Sequence, residues 1–168
     1  VKEPLPQEYD LIRKDQIVFT YLHLAADEKQ TKALIKSKCI AIAYETVQRP
    51  DRSLPLLVPM SEVAGRMSIQ EGAKYLESPT GGAGLLLGGV PGVEPATVLV
   101  IGAGTVGMHA AKMASGLGAK VYMVDSYLPR LRYLSEVMPA NCFLLKASPA
   151  TIRRLIQDAA PVAGHRPQ

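Results

Sequence analysis

The apolar residues of the chain fall into short runs separated by amphipathic or polar stretches. Residues 16–23 and 38–44 are runs of mainly apolar residues, which predict two buried strands, and the amphipathic residues 27–38 between them predict a helix. A strand, a helix and a second strand predict a parallel pair joined by a right-handed crossover. This arrangement puts His23 and Glu45 at the carboxyl ends of the strands, where parallel sheets carry their functional residues.

The second half of the chain repeats this alternation. Strands are predicted at residues 97–101 (fully buried), 120–124 and 141–146, with helices at 128–138, at 149–158 and in the Ala- and Met-rich stretch between the first two strands. A doubly wound parallel sheet needs about six strands. We therefore expect an α/β chain containing an incomplete Rossmann-like sheet, preceded by part of a second α/β domain.

A connecting segment is predicted between these two parts. Ser61 is a suitable N-cap for a helix over residues 62–76, and residues 78–92 contain six glycines, which are typical of a flexible linker and a hairpin-like turn. The predicted division is residues 1–58, a connecting segment 59–92, and residues 93–168. The last ten residues show no periodicity, and the sequence looks like a piece of something longer.

A glycine motif, Gly102-x-Gly104-x-x-Gly107, lies between the strand at 97–101 and the helix that follows. The first glycine permits a tight turn, the second lets the backbone approach a pyrophosphate, and Gly107 allows close helix–strand packing. Asp125 ends the next strand, where a carboxylate binds ribose hydroxyls and repels a 2′-phosphate, which favours NAD over NADP. The alternative is a structural turn with an incidental aspartate.

Composition and charge narrow the classes of function. The net charge is +4, but the basic residues are scattered and lack an RNA-reading aromatic pattern, which argues against nucleic-acid binding. No apolar run approaches the ~20 residues that span a membrane, and no metal-ligand spacing occurs. Cys39 and Cys142 lie in apolar runs, so we expect buried free thiols and a cytoplasmic location.

Few side chains indicate catalysis by themselves. His23 is either a satisfied core histidine or a general acid/base, and Lys2 is either a solvated surface group or a ligand for an anion. His109 lies in the helix after the glycine motif and is interpreted as a packing or surface residue. Glu45 and Asp51 do not form an interpretable carboxylate pair.

Seven blocks, in order along residues 1 to about 135, carry a family resemblance. The chain closely resembles the NAD-dependent L-alanine dehydrogenases and, more distantly, the NAD-binding subunit of proton-translocating transhydrogenases. The blocks are Val1-Lys-Glu-Pro4, Phe19-Thr-Tyr-Leu-His-Leu-Ala25, Ile42-Ala-Tyr-Glu-Thr-Val-Gln48, Leu54-Pro-Leu-Leu57, Pro59-Met-Ser-Glu-Val-Ala-Gly-Arg66, Gly88-Gly-Val-Pro-Gly-Val93 and Gly102-Ala-Gly-Thr-Val-Gly107.

This resemblance implies reversible oxidative deamination of L-alanine to pyruvate and ammonia with NAD, in a homo-oligomer that is hexameric in the family. It implies that Lys2 holds the substrate carboxylate and carbonyl oxygen, and that His23 exchanges a proton at the substituent of the reacting carbon. Residues 1–58 would then be part of the substrate domain and 93–168 part of the NAD-binding domain. Further implied contacts are Met60 and Ser61 near substrate and nicotinamide, Thr105 and Val106 in the coenzyme turn, and Asp125 and Arg130 at the adenosine end.

Two family groups have no counterpart in this sequence. The carboxylate-binding arginine of the family lies upstream of the segment matching Val1, and its water-activating aspartate lies downstream of residue 168. We therefore expect the central portion of an alanine dehydrogenase, inactive alone, with exposed sheet edges and apolar faces. The alternatives are a non-catalytic NAD-binding or interaction module and, less favoured, a transhydrogenase α-like subunit.

Overall fold

The computed structural model describes residues 2–158. The chain divides into two compact units between Met60 and Ser61, and this boundary falls within one long helix. The predicted three-part division, with residues 59–92 as a separate connecting segment, stays a prediction. The predicted features of the last ten residues lie outside the described part.

The first unit contains a parallel β–α–β arrangement, as predicted. Strand β1 (Ile17–Thr20) pairs in parallel with β2 (Ile40–Ala43), and helix α1 (Glu28–Ser37) connects them. Asp27 caps α1, because its Oδ1 accepts a hydrogen bond from the Gln30 amide at 3.0 Å. Both strands are shorter than predicted, so His23 lies three residues beyond β1 rather than at its last position.

The predicted burial of these two strands is wrong, since Thr20 is the one buried residue among the eight that they contain. Four large apolar side chains, opposite each other in the parallel register, are between 42% and 65% exposed: Ile17, Phe19, Ile40 and Ile42. In the described part of this unit, α1 is the α-helix that connects the two strands, and one connecting helix covers at most one face of a sheet. The expected exposed apolar faces are therefore present. The thiols of Cys39 and Cys142 are free but only partly buried.

The second unit contains the predicted Rossmann-like α/β arrangement. Strands β3 (Thr97–Ile101), β4 (Lys120–Asp125) and β5 (Cys142–Lys146) pair in parallel in that order. The helices are α2 (Val58–Leu76), α3 (Thr105–Gly116), α4 (Leu128–Val137) and α5 (Pro149–Asp158). Helix α2 begins before Ser61, so the prediction that Ser61 caps this helix is wrong: the apolar and proline residues preceding it already belong to the first turn.

The core of the second unit lies around β4, which has a paired strand on each side. Val121, Met123 and Val124 are completely buried, and α3 and α4 pack against this strand. Strand β3 is an edge strand of the described sheet, so Ile101 is 64% exposed and the predicted full burial of this strand is wrong.

The glycine-rich segment after α2 is packed against this core. Leu87 is buried in the core cluster, and Val90 and Val93 form an antiparallel bridge, which is the predicted hairpin-like turn. A Cβ atom on Gly88 would overlap the carbonyl oxygen of Leu117. Such close packing does not fit the prediction of a flexible linker.

Candidate functional site

The glycine turn between β3 and α3 has the geometry that the motif predicts. Gly102 has a φ of 96°, a left-handed conformation that favours glycine. A Cβ atom on Gly107 would overlap the Gly102 carbonyl oxygen, whereas one on Gly104 would meet nothing within 4 Å. Gly107 is therefore required for packing, and Gly104 leaves the backbone open to an approaching group.

The amino end of α3 starts at this open position. Gly104 is the N-cap and has no side chain, so it does not cap the first-turn amides of Thr105, Val106 and Gly107. Free amides and the positive end of the helix dipole favour an anion such as a pyrophosphate. The turn therefore fits the phosphate portion of a dinucleotide.

Asp125, the last residue of β4, is bound to the backbone of this turn. Its Oδ2 accepts a hydrogen bond from the Ala103 amide at 2.6 Å, and its Oδ1 accepts one from the Tyr127 amide at 2.7 Å. These bonds, with a smaller contribution from the Arg130 charge, hold the pKa of the Asp125 carboxyl below its ordinary value despite partial burial. The ionised carboxylate retains lone pairs for further donors.

Arg130 holds the same turn from α4. Its Nε donates to the Ala103 carbonyl oxygen at 2.9 Å, and its guanidinium lies 5.2 Å from the centre of the Tyr133 ring. Ala103 is completely buried and is held at its amide by Asp125 and at its carbonyl by Arg130. The family resemblance implied a contact of Arg130 with adenosine, which stays a prediction, and the sequence did not indicate these bonds of Arg130 to the turn.

A cavity of about 520 Å³ in the second unit adjoins the glycine turn. Ser61 and Ser68 from α2 line it together with the edge of β3 and the first turn of α3, including Gly104, Thr105 and Val106. The structure thus brings Ser61 and the coenzyme-turn residues to one cavity. Met60, the preceding residue of α2, is half-buried.

In the first unit, His23 lies in a short loop after β1. It has φ 48° and ψ 39°, and its side chain is exposed, which excludes the interpretation as a core histidine. The Tyr21 ring stacks on the imidazole with a centroid separation of 6.3 Å. His23 lines a cavity of about 370 Å³ together with Leu24, Ala25, Ala26, Ala43, Glu45 and Thr46.

Glu45 contacts the backbone of this loop. Its Oε1 accepts from the His23 amide at 2.8 Å and from the Leu22 amide at 3.1 Å, and Oε2 lies 3.3 Å from the same Leu22 amide. Burial disfavours the charged form, but the backbone amides of Glu45, His23 and Leu22 outweigh it and lower the pKa of this carboxyl. Sequence reasoning missed this role, although it placed Glu45 and His23 at adjacent strand ends.

Lys2 lies beside the end of β1, because its carbonyl oxygen accepts a hydrogen bond from the Thr20 hydroxyl at 2.9 Å. The residue is exposed, and its role as a ligand for the substrate stays a prediction. His109 is a packing residue, as predicted: it is buried, and its Nε2 lies 3.5 Å from a carboxylate oxygen of Glu62.

Residues 2–158 contain neither a candidate metal centre nor a candidate membrane span. No cluster of His, Cys, Asp and Glu in this range is arranged to hold a metal ion. None of the helices described there has the length and apolar character needed to cross a membrane.

Comparison with known proteins identifies relatives of both units. Residues 1–64 match the family model "Alanine dehydrogenase/PNT, N-terminal domain", and residues 68–165 match "Alanine dehydrogenase/PNT, C-terminal domain". The chain is 54% identical to an alanine dehydrogenase of Methanococcus maripaludis and 50% identical to one of Staphylococcus saprophyticus. Each alignment covers 98% of this chain but only 44% of the relative.

Solved structures give the same result. An L-alanine dehydrogenase superposes with a TM-score of 0.86 at 54% identity, over 94% of this chain and 44% of that protein. A transhydrogenase from Sinorhizobium meliloti, 19% identical, superposes with a TM-score of 0.64 over 94% of this chain and 44% of its own, and therefore shares the fold. Because both of its parts match the successive domains of one family, this chain belongs to the alanine dehydrogenase/PNT family.

Proposed function

We propose that the polypeptide carrying this chain is an NAD-dependent L-alanine dehydrogenase, which converts L-alanine reversibly to pyruvate and ammonia. The observation that carries the proposal is the 54% identity to an alanine dehydrogenase, which extends over 98% of the chain and so includes both units. The glycine turn and the exposed His23 add groups suited to coenzyme binding and to proton transfer.

For the coenzyme, the residues of the second unit fit a dinucleotide. The open backbone at Gly104 and the first amides of α3 suit the pyrophosphate, and Asp125 suits the ribose hydroxyls. The Asp125 carboxylate is ionised and would repel a 2′-phosphate, which favours NAD over NADP. When bound there, NAD would supply the acceptor for the hydride that leaves the reacting carbon of alanine.

For the substrate, the proposed groups come from the first unit. The Lys2 ammonium is a point charge suited to the carboxylate and carbonyl oxygen of the substrate. A ring nitrogen of the His23 imidazole can both accept and donate a proton, so it takes and returns a proton at the substituent of the reacting carbon. The cavity that His23 lines leaves room for a small amino acid beside the ring.

Turnover is expected to need groups outside this sequence, since the chain spans 44% of the length of the alanine dehydrogenases that it matches. We propose that the isolated chain binds NAD without catalysis and that the complete polypeptide forms a homo-oligomer. The glycine turn, to which Asp125 is hydrogen-bonded, favours a second candidate function, a non-catalytic NAD-binding module.

The test uses the Methanococcus maripaludis enzyme with this sequence in place of its 164 matching residues. We expect L-alanine-dependent formation of NADH, with NADP a poor substitute, and a loss of about 100-fold or more in kcat for His23→Ala. A folded chimaera that binds NAD but never oxidises L-alanine, while the parent enzyme does, would contradict the dehydrogenase proposal and favour the binding module. Calorimetry on the isolated chain then tests NAD binding separately.

A further inference from the structure

We propose that Glu45 is a positioning residue for His23, which it holds in its left-handed conformation through the backbone of the loop after β1. This inference rests on the proposed function, because His23 is the proton-transfer group of that proposal. Glu45 itself is not assigned a contact with substrate or coenzyme.

The conformation of His23 requires stabilisation. A φ of 48° is unfavourable for a residue with a side chain, because its Cβ crowds the following carbonyl group. Such a conformation persists only where surrounding contacts determine it, and it is concentrated at functional sites. A relaxation of this one residue would turn the imidazole away from its present direction.

The Glu45 carboxylate supplies the contacts that fit this need. One oxygen accepts from two consecutive amides, at 3.1 Å for Leu22 and 2.8 Å for His23, and a charged acceptor makes each bond stronger than a neutral one would. Neutral groups bind the carbonyl oxygens of the same loop. The side-chain amide of Gln30 donates a hydrogen bond through Nε2 to the Leu22 oxygen, and the Thr31 hydroxyl donates one to the Leu24 oxygen. Glu45 thus supplies the charged acceptor for the hydrogen bond that the His23 amide itself donates.

Strand register explains why Glu45 reaches this position. Thr20, the last residue of β1, lies opposite Ala43, the last residue of β2, so the chain leaves both strands at the same level. The short 3₁₀ turn Tyr44–Thr46 then places Glu45 beside the loop that contains His23. The second unit has the same arrangement, with Asp125 of β4 accepting from the Ala103 amide just after β3.

The experiment is a double-mutant cycle in the chimaera described above, with kcat, KM for L-alanine and Kd for NAD measured for each variant. For Glu45→Ala we expect kcat to fall about 100-fold, a loss of the size that a small misplacement of a catalytic group produces, with NAD affinity unchanged. Glu45→Gln is expected to lose less, because its amide oxygen still accepts a hydrogen bond. In a His23→Ala background, either substitution should change kcat by less than about twofold.

A matched control removes a similar carboxylate–amide bond elsewhere in the first unit. Asp51 accepts from the Ser53 amide at 2.9 Å in an exposed turn, so Asp51→Ala should leave kcat unchanged. If Glu45→Ala does not fold, the Glu45→Gln variant is compared in both backgrounds.

Two results distinguish a failure of the positioning role of Glu45 from a failure of the catalytic role proposed for His23. An equal fold loss from the Glu45 substitution with and without His23, or no loss at all, would overturn the positioning role alone. A His23→Ala variant with undiminished turnover would instead overturn the catalytic assignment of His23, and the inference about Glu45 with it.

Discussion

The two sheets of this chain have the same kind of carboxylate–amide hydrogen bond at the carboxyl ends of their strands, but their strands differ in how deeply they are buried. In each sheet, a carboxylate at the end of one strand accepts a hydrogen bond from a backbone amide in the loop after the neighbouring strand. Glu45, after β2, accepts from the His23 amide, and Asp125, at the end of β4, accepts from the Ala103 amide. Met123 of β4 is completely buried, whereas Ile40 of β2 is 50% exposed. The loops of the two sheets are therefore bound by similar hydrogen bonds, whereas the strands beneath them differ in burial.

The difference follows from the number of neighbours that each strand has. Strand β4 is paired on both sides and is covered by α3 and α4, whereas β1 and β2 have only each other in the described residues. Burial of apolar area is the main source of stability, at about 25 cal/mol per Å². The second unit should therefore resist local unfolding more than the first, and the substitutions below test this comparison.

The largest effect is expected for Gly107→Ala in the glycine turn. The new Cβ would overlap the Gly102 carbonyl oxygen, which is backbone and cannot move without breaking the β3–α3 junction. We expect a loss of at least about 3 kcal/mol in the free energy of unfolding, measured by urea denaturation.

Gly104→Ala is the matched control for this substitution. Its Cβ has free space and its φ of −67° suits alanine, so stability should change by less than about 0.5 kcal/mol, while NAD affinity measured by calorimetry falls. Equal destabilisation by both variants would contradict the different roles given to these glycines.

A core substitution compares the two sheets directly. Met123→Ala removes a completely buried side chain and should cost about 2–5 kcal/mol in unfolding free energy. Ile40→Ala removes a half-exposed one and should cost clearly less. Urea denaturation of both variants, followed by circular dichroism, measures the difference, and a larger cost for Ile40→Ala would reverse the comparison.

The hydrogen bonds of the Asp125 carboxylate predict that the stability of the second unit depends on pH. The pKa of Asp125 is lowered by folding, so its contribution to stability is fully present above the ordinary value of 3.8 and is lost as the pH falls through the lower folded-state value. Asp125→Asn removes the charge and one acceptor, with an expected cost on the order of 1 kcal/mol near pH 7. Urea midpoints of wild type and variant should begin to converge as the pH falls below about 4 and should meet below the folded-state pKa of Asp125; a constant difference would contradict this origin.

The smallest effect is expected at an exposed ion pair of the first unit. Lys32 Nζ lies 2.6 Å from Glu28 one turn earlier in α1, but both side chains are more than 70% exposed. Lys32→Gln should therefore change the free energy of unfolding by less than about 0.5 kcal/mol, and the change should shrink with added salt. A larger, salt-insensitive loss would show that this pair supports the first unit in a way that its exposure does not suggest.

The sequence by itself determined the order of strands and helices and the geometry of the glycine turn. Continuous apolar runs of about five residues mark the strands, and Gly102 and Gly107 are each required by a local backbone angle or contact. These properties depend on neighbours close in sequence. The position of Asp125 at the end of β4 was predictable for the same reason.

The tertiary structure alone decided which of these strands are buried and which backbone groups the polar side chains of Glu45 and Arg130 bind. Burial of β1 and β2 depends on what covers the sheet, and no periodicity within a strand records its number of neighbours. The bonds of Glu45 to the His23 loop and of Arg130 to Ala103 join residues more than 20 positions apart. Such contacts depend on strand register and helix packing, which bring together groups whose proximity no local pattern specifies.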